Sequence, residues 1–267
     1  MPVGLIATLV GMAYTINLTS FNIKMVYALL SVAFIIAGYN TYNAIVDLEI
    51  DRINKPDRPL PKALLTIKDA KYITIISFFI SLVLSLLINK IAFLIALVTI
   101  TLSVLYSYRP INLKGRFILG TLAATVLYTI TFPLIGWSVS QYSKIPIQII
   151  FYLFVFGLVV AILKDFEDII GDNHYEAHTI ISYLGYTKTI KLLLLLILFG
   201  IILVIGFVYY GFLSIYYLGL LIFSLLYLLN LYYLNMNKTT KRAKRAFIYS
   251  MVIMIFMEIF LIALKLL

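Results

Sequence analysis

Cysteine is absent from the 267 residues, and histidine occurs only at His174 and His178. Without thiols there are no disulfides, no thiolate metal sites and no cysteine nucleophile. Charge is scarce too: Asp, Glu, Lys and Arg make up 12% of the chain, and only 11 residues are acidic. Glycine (13) and proline (7) are few, which suits straight, close-packed helices. What is abundant is apolar, at 63% of all residues. No soluble core could hide that much apolar surface, so the composition is that of a polytopic membrane protein.

Basic residues outnumber acids and give a net charge of +10, but they are spread over short connections, with one denser run, KTTKRAKR, at 238–245. Attraction to anionic headgroups accounts for that run, and no nucleic-acid partner is expected. Apolar stretches mark nine spans, at 1–16, 25–42, 70–88, 91–108, 117–137, 146–163, 190–210, 213–234 and 246–266. Most reach the roughly 20 residues that carry a helix across a bilayer core. The first is short and has no basic residue ahead of it, which argues against a cleaved signal peptide. Of the 21 Lys and Arg, all but Lys24, Lys90, Lys144 and Lys265 lie in or beside the even-numbered loops. Basic loops stay in the cytoplasm, so the expected N-terminus is cytoplasmic and the C-terminus extracellular. The expected fold class is all-α: one domain over 1–267, a membrane bundle of nine transmembrane helices, with functional cytoplasmic loops at 43–69 and 164–189.

Ten of the 11 acids fall in two windows, 47–69 and 165–176, each directly after a long apolar segment. The first reads NAIVDLEIDRINKPDRPLPK, with Asn43, Asp47 and Asp51 spaced four apart; on a helix they share one face. Pro56, Pro59 and Pro61 end that helix near Asn54. The second reads KDFEDIIGD and sets Asp165, Asp168 and Asp172 at helical spacing. Its similarity to VDLEID around Asp47 is a faint internal echo. The plainer readings are a solvated helix end answering Arg52 and Arg58, and a polar loop with a helix cap. Neither needs two acid sets in register, and acids at the ends of membrane helices are functional by default.

Carboxylate and carboxamide oxygens without cysteine describe a hard-cation site, so Mg²⁺ fits better than Zn²⁺ or copper. His174 and His178, four apart, lack a third ligand and read as loop residues. Mg²⁺ takes one or two carboxylates and completes its shell with water and phosphate, so two acid clusters flanking a polyphosphate are the expected arrangement. Arg52, Arg58, Lys114 and Lys164 would neutralise the remaining charge. A diphosphate so held becomes a good leaving group. If it is attached to an allylic lipid, its departure yields a carbocation that an acceptor traps. Tyr39, Tyr42, Tyr106 and Trp137 either shield that cation or belong to interfacial belts. Glu258, alone within the ninth span, faces a helix partner or a cavity rather than lipid.

The run N43-x-x-x-D47-x-x-x-D51 followed by RINKPDRPLP, with KD165-x-x-D168-x-x-GD172 and a later Thr179, resembles the UbiA-type intramembrane prenyltransferases. Its detailed form is most similar to the archaeal ether-lipid branch, which adds a second geranylgeranyl chain to geranylgeranylglyceryl phosphate. The resemblance implies nine helices around a lipid-open central cavity. It also implies Mg²⁺ as cofactor, a prenyl diphosphate donor and a lipid-phosphate acceptor as partners, and the cytoplasmic end as the site. Asn43, Asp47 and Asp51 would form one metal-diphosphate set and Asp165, Asp168 and Asp172 the other. Four departures from the family pattern stand out, the last two of which bear on the acceptor. The basic Arg-Pro segment and Asn common at the start of members are missing. The Tyr-Lys pair after the fourth span, Tyr106 or Tyr108 with Lys114, is stretched by Arg109, Pro110 and Ile111. Val160 and Ala161 stand where relatives often have Arg-Glu, and Ala44 where many have an acid. Prenyl transfer to an aromatic acceptor, a divalent-cation transporter and a non-catalytic lipid-binding relative remain as alternatives.

Overall fold

The computed structural model describes residues 2–16, 22–140, 144–174, 179–236 and 239–266, with the side chains of Asn54 and of residues 167–174 outside that description. Described residues form helices and no strand. In chain order these are α1 (Pro2–Ala13), α2 (Ile23–Val46), a short α3 (Leu48–Asn54), α4 (Ile67–Ile88) and α5 (Lys90–Ser107). Next, α6 (Phe117–Val126) runs through a π turn, Leu127–Thr131, into α7 (Phe132–Trp137). Then come α8 (Ile147–His174), α9 (Ile180–Tyr209), α10 (Leu220–Asn235) and α11 (Thr240–Leu266). Eight candidate membrane spans are long and apolar enough to cross a bilayer, with α6 and α7 counted as one. The ninth apolar segment is α1, whose 12 residues fall short of the roughly 20 a full crossing needs.

Polar side chains set several helix starts. Asn22 accepts from the Lys24 N–H, Thr66 from Asp69 and Asn89 from Ala92, and Thr179 forms a reciprocal capping box with Ser182. Each satisfies a backbone donor that a first turn leaves open. The helical run through Asp47 and Asp51 ends at Asn54, before Pro56, as the prolines predict, and the next helix starts at Ile67. Most of the expected 164–189 loop is helix instead: α8 continues to His174 and α9 resumes at Ile180. The apolar run stops at Leu163, but KDFEDIIGD keeps a helical period, so only its hydrophobicity changes.

Buried apolar residues form two clusters. One joins α8, α9, α10 and α11, around Tyr152, Phe156 and Tyr227; the other joins α1, α2, α5 and α7, around Met12, Ile35 and Ile135. With no hydrophobic drive between helices in lipid, small residues and interhelical hydrogen bonds do the joining. A Cβ on Gly11 would lie 1.9 Å from the Pro133 carbonyl, and one on Gly136 would lie 1.9 Å from that of Thr8. The backbones of α1 and α7 therefore touch at this crossing. Ser31 and Ser81 join α2 to α4 with hydroxyls 2.9 Å apart. Large apolar side chains such as Phe79, Leu195 and Ile202 are left exposed, as lipid-facing surfaces require.

Candidate active site

Asp47 sits at the junction of α2 and α3 with φ −93° and ψ 10°. The ladder nevertheless runs on: the Asp47 N–H donates to the Asn43 carbonyl at 2.9 Å, and the Asp51 N–H to the Asp47 carbonyl at 2.7 Å. Asn43, Asp47 and Asp51 thus keep the shared face that their spacing predicts, and all three line one cavity of about 440 Å³. Lys164 and Asp165 of α8 line the same cavity. Two acid windows separated by four spans therefore meet in one place. Asp168 and Asp172 follow on the last turns of α8, but their side chains, like that of His174, lie outside the described residues, as does the whole of His178.

Asp47 and Asp51 are 8% and 4% exposed, a costly position for a carboxylate without a partner. Each has one. Arg58 Nη1 donates to Asp51 Oδ2 at 2.6 Å, and Lys114 Nζ donates to Asp47 Oδ1. Arg58 returns to α3 because the segment after Asn54 turns on itself, with the Arg58 N–H donating to the Lys55 carbonyl and the Lys62 N–H to that of Arg58. Lys114 arrives through the stretched connection after α5. The Tyr108 carbonyl accepts from both the Ile111 and Asn112 N–H groups, so the intervening residues fold into a turn. Asn112 is left-handed (φ 44°), and a single 3₁₀ turn, Leu113–Gly115, follows. The stretch in sequence is absorbed as a turn, and Lys114 reaches the site.

Arg52 is the exception among the expected diphosphate-binding residues. It pairs with Glu49 at 2.9 Å, three residues away, with both side chains 58% exposed, and it does not line the cavity. Of the aromatic candidates, Tyr39 and Tyr106 line it with ring centroids 5.8 Å apart, edge to face. Tyr42 and Trp137 do not line it. Tyr128, on the π turn, lines it as well, and nothing in the sequence pattern distinguishes it from other span tyrosines. Lys55 and Thr179 complete the polar end, while Gly157, Val160, Met251 and Met254 give the deeper walls an apolar character. Glu258 is fully buried, and neither carboxylate oxygen has a partner among the described residues.

Among the described residues, no three of His, Cys, Asp or Glu converge as a self-sufficient metal cage. Asp47, Asp51 and Asp165 instead offer separate carboxylates around an open space. That donor set fits an ion that takes one or two carboxylates and fills its octahedron with water and phosphate.

Residues 4–259 match the UbiA prenyltransferase family. The chain belongs to this family. It is an intramembrane prenyltransferase, a multi-pass membrane protein. Among its relatives, the digeranylgeranylglyceryl phosphate synthase of Methanosphaera stadtmanae is 31% identical over 198 residues, covering 74% of this chain and 71% of that protein. The enzyme of the same name from Sulfurisphaera tokodaii is 34% identical over 200 residues, covering 73% and 69%. A solved structure concerned with digeranylgeranylglyceryl phosphate synthase in membranes shares 27% identity, covers 99% of this chain and 92% of its own, and superposes with a TM-score of 0.71. A UbiA homologue from Archaeoglobus fulgidus, bound to GPP and Mg²⁺, shares the fold at 21% identity with a TM-score of 0.76, covering 98% and 95%.

Proposed function

We propose that this prenyltransferase moves a geranylgeranyl group from geranylgeranyl diphosphate to the free hydroxyl of geranylgeranylglyceryl phosphate, as the second chain of an archaeal ether lipid is added. The observation that carries this reading is the single cavity in which Asn43, Asp47, Asp51 and Asp165 meet Arg58, Lys114 and Lys164 above apolar walls. Similarity to digeranylgeranylglyceryl phosphate synthases over most of the chain supports the choice of substrates. Val160 and Ala161 line the cavity as apolar side chains, which suits a lipid acceptor. The chain acts as one domain, with its site at the cytoplasmic end, as the placement of basic loops supports.

Mg²⁺ would be held by Asp47, Asp51, Asp165, Asp168 and Asp172, and when bound it supplies positive charge to the diphosphate. Arg58 and Lys114, now resting on Asp51 and Asp47, are within reach of the same space and add charge there. Tyr39 and Tyr106 line the wall below and offer ring faces to an allylic cation, and the apolar depth keeps water from capturing it. The C–O bond to diphosphate breaks, the acceptor oxygen forms the new C–O bond, and that oxygen loses its proton.

The test is to incubate purified protein with labelled geranylgeranyl diphosphate, Mg²⁺ and geranylgeranylglyceryl phosphate, with and without chelator. Doubly prenylated lipid that disappears with chelator is expected. Diphosphate release without that lipid would move the acceptor to an aromatic compound. Mg²⁺ uptake by liposomes with no prenyl transfer would replace the reading with transport.

A further inference from the structure

Many hydroxyls in the spans of this protein follow one habit, with Ser31, which bonds across to Ser81, as one exception. Thr8, Thr41, Thr74, Thr125, Thr129, Thr131 and Thr189 each donate to the carbonyl four residues back. On α5 itself Thr99, Thr101 and Ser103 do the same. Such back-bonding is how a membrane helix satisfies a hydroxyl in the absence of water. Ser107, the last residue of α5, departs from it. Fully buried, it sends its proton across to another helix and donates to Asn43 Oδ1 at 2.7 Å.

A primary carboxamide has an acceptor end and a donor end. With Oδ1 of Asn43 accepting from Ser107, the two Nδ2 hydrogens are what Asn43 offers the cavity it lines. Diphosphate oxygens accept hydrogen bonds, so an amide anchored in this direction can donate to them from Nδ2. The neighbouring residues of the stripe, Asp47 and Asp51, present oxygen only. We propose that Ser107 is a positioning residue: it fixes the Asn43 carboxamide so that its N–H groups bind the donor's diphosphate. The inference rests on the prenyl diphosphate reading above.

Four variants test it: Ser107→Ala, Ser107→Thr, Asn43→Ala and the Ser107→Ala/Asn43→Ala double variant. With geranylgeranyl diphosphate as the varied substrate, Ser107→Ala should raise KM about tenfold, the size expected for one hydrogen bond to a charged group. Its kcat should stay within about twofold, and the Mg²⁺ concentration for half-maximal rate should be unchanged. Ser107→Thr, which keeps the hydroxyl, should restore KM. The double variant should be no worse than Asn43→Ala alone, because Ser107 acts only through Asn43. Independent losses in the double variant, or a shifted Mg²⁺ requirement with KM unaltered, would overturn the assignment. So would a lowered unfolding temperature with unchanged KM, which marks a merely structural serine. Thermal protection by inorganic diphosphate with Mg²⁺ separates the two levels of inference. A wild-type protein that gains no protection removes the diphosphate reading itself. Equal protection of wild type and Ser107→Ala removes only the role of Ser107.

Discussion

Lys114 holds the carboxylate of Asp47 from 67 positions further along the chain. Asp47 closes the α2 stripe and Lys114 closes the connection after α5, so this pair ties the two walls of the cavity together. Its partners keep 22% and 11% of their side-chain surface exposed. Lys114→Met would leave a nearly buried carboxylate without its cation. The expected loss is about 2 kcal/mol, below the roughly 3–5 kcal/mol for a fully buried pair because some solvent reaches it. Added Mg²⁺ should return part of that stability by standing in for the ammonium. Thermal unfolding in detergent across a Mg²⁺ series checks this, and a melting temperature indifferent to Mg²⁺ would count against Asp47 as a metal ligand.

Arg58 and Arg52 lie six residues apart, and the structure gives them opposite expectations. Asp51→Ala should lower turnover at least a hundredfold, in the range seen for losing one preorganised electrostatic group, and Arg58→Ala should raise the KM for the prenyl diphosphate. Arg52→Ala removes only an exposed pair with Glu49, which is worth little. Its steady-state rates should remain within about twofold of wild type. Equal damage from both arginine substitutions would show that the cavity boundary is drawn in the wrong place.

The crossing of α1 over α7 admits no side chain at Gly11 or Gly136. Gly136→Ala should cost more than the roughly 1–3 kcal/mol of ordinary overpacking, because the obstacle is a carbonyl of the backbone. The measurement is the unfolding midpoint, with Gly206→Ala, where a Cβ meets nothing within 4 Å, as the comparison.

Glu258 should respond in the other direction. Both of its oxygens are buried without partners among the described residues, a placement that opposes folding. Glu258→Met should raise stability by roughly 1–3 kcal/mol with little change in prenyl transfer, since the residue does not line the cavity. A lowered midpoint would reveal that the carboxyl is doing something for the fold that its static surroundings do not explain.

The helices are legible because their signal is coarse: a bilayer demands long apolar runs, and the eight described helices long enough to cross it show in the sequence, as does the shorter α1. The ends were harder. The end of α8 was missed because hydrophobicity stops at Leu163 while the helix does not, and a membrane pattern reports burial in lipid rather than backbone geometry. The meeting of the two acid windows followed from loop order and charge placement alone. Side-chain direction did not follow. Arg52 and Arg58 look alike in sequence, and only the turn through Lys55 to Lys62 decides which one comes back to Asp51. Tyr128 and Ser107 were hidden for a related reason, since tyrosine and serine are common throughout these spans, and position alone makes these two face the site.

One wall of the site is a single rod. Helix α8 runs 28 residues from Ile147 to His174, so Asp165 is carried on the same helix as the apolar turns packed against α9, α10 and α11. The facing wall is jointed at Asp47. A bilayer too thin or too thick for its helices is met by tilting them, and a tilt of α8 together with the helices packed on it would carry Asp165 with it. The separation between the two acid sets, and with it the fit of a metal and diphosphate between them, should then respond to the length of the surrounding lipid chains. An enzyme that helps to make membrane lipid would then have its geometry tuned in part by the membrane it makes.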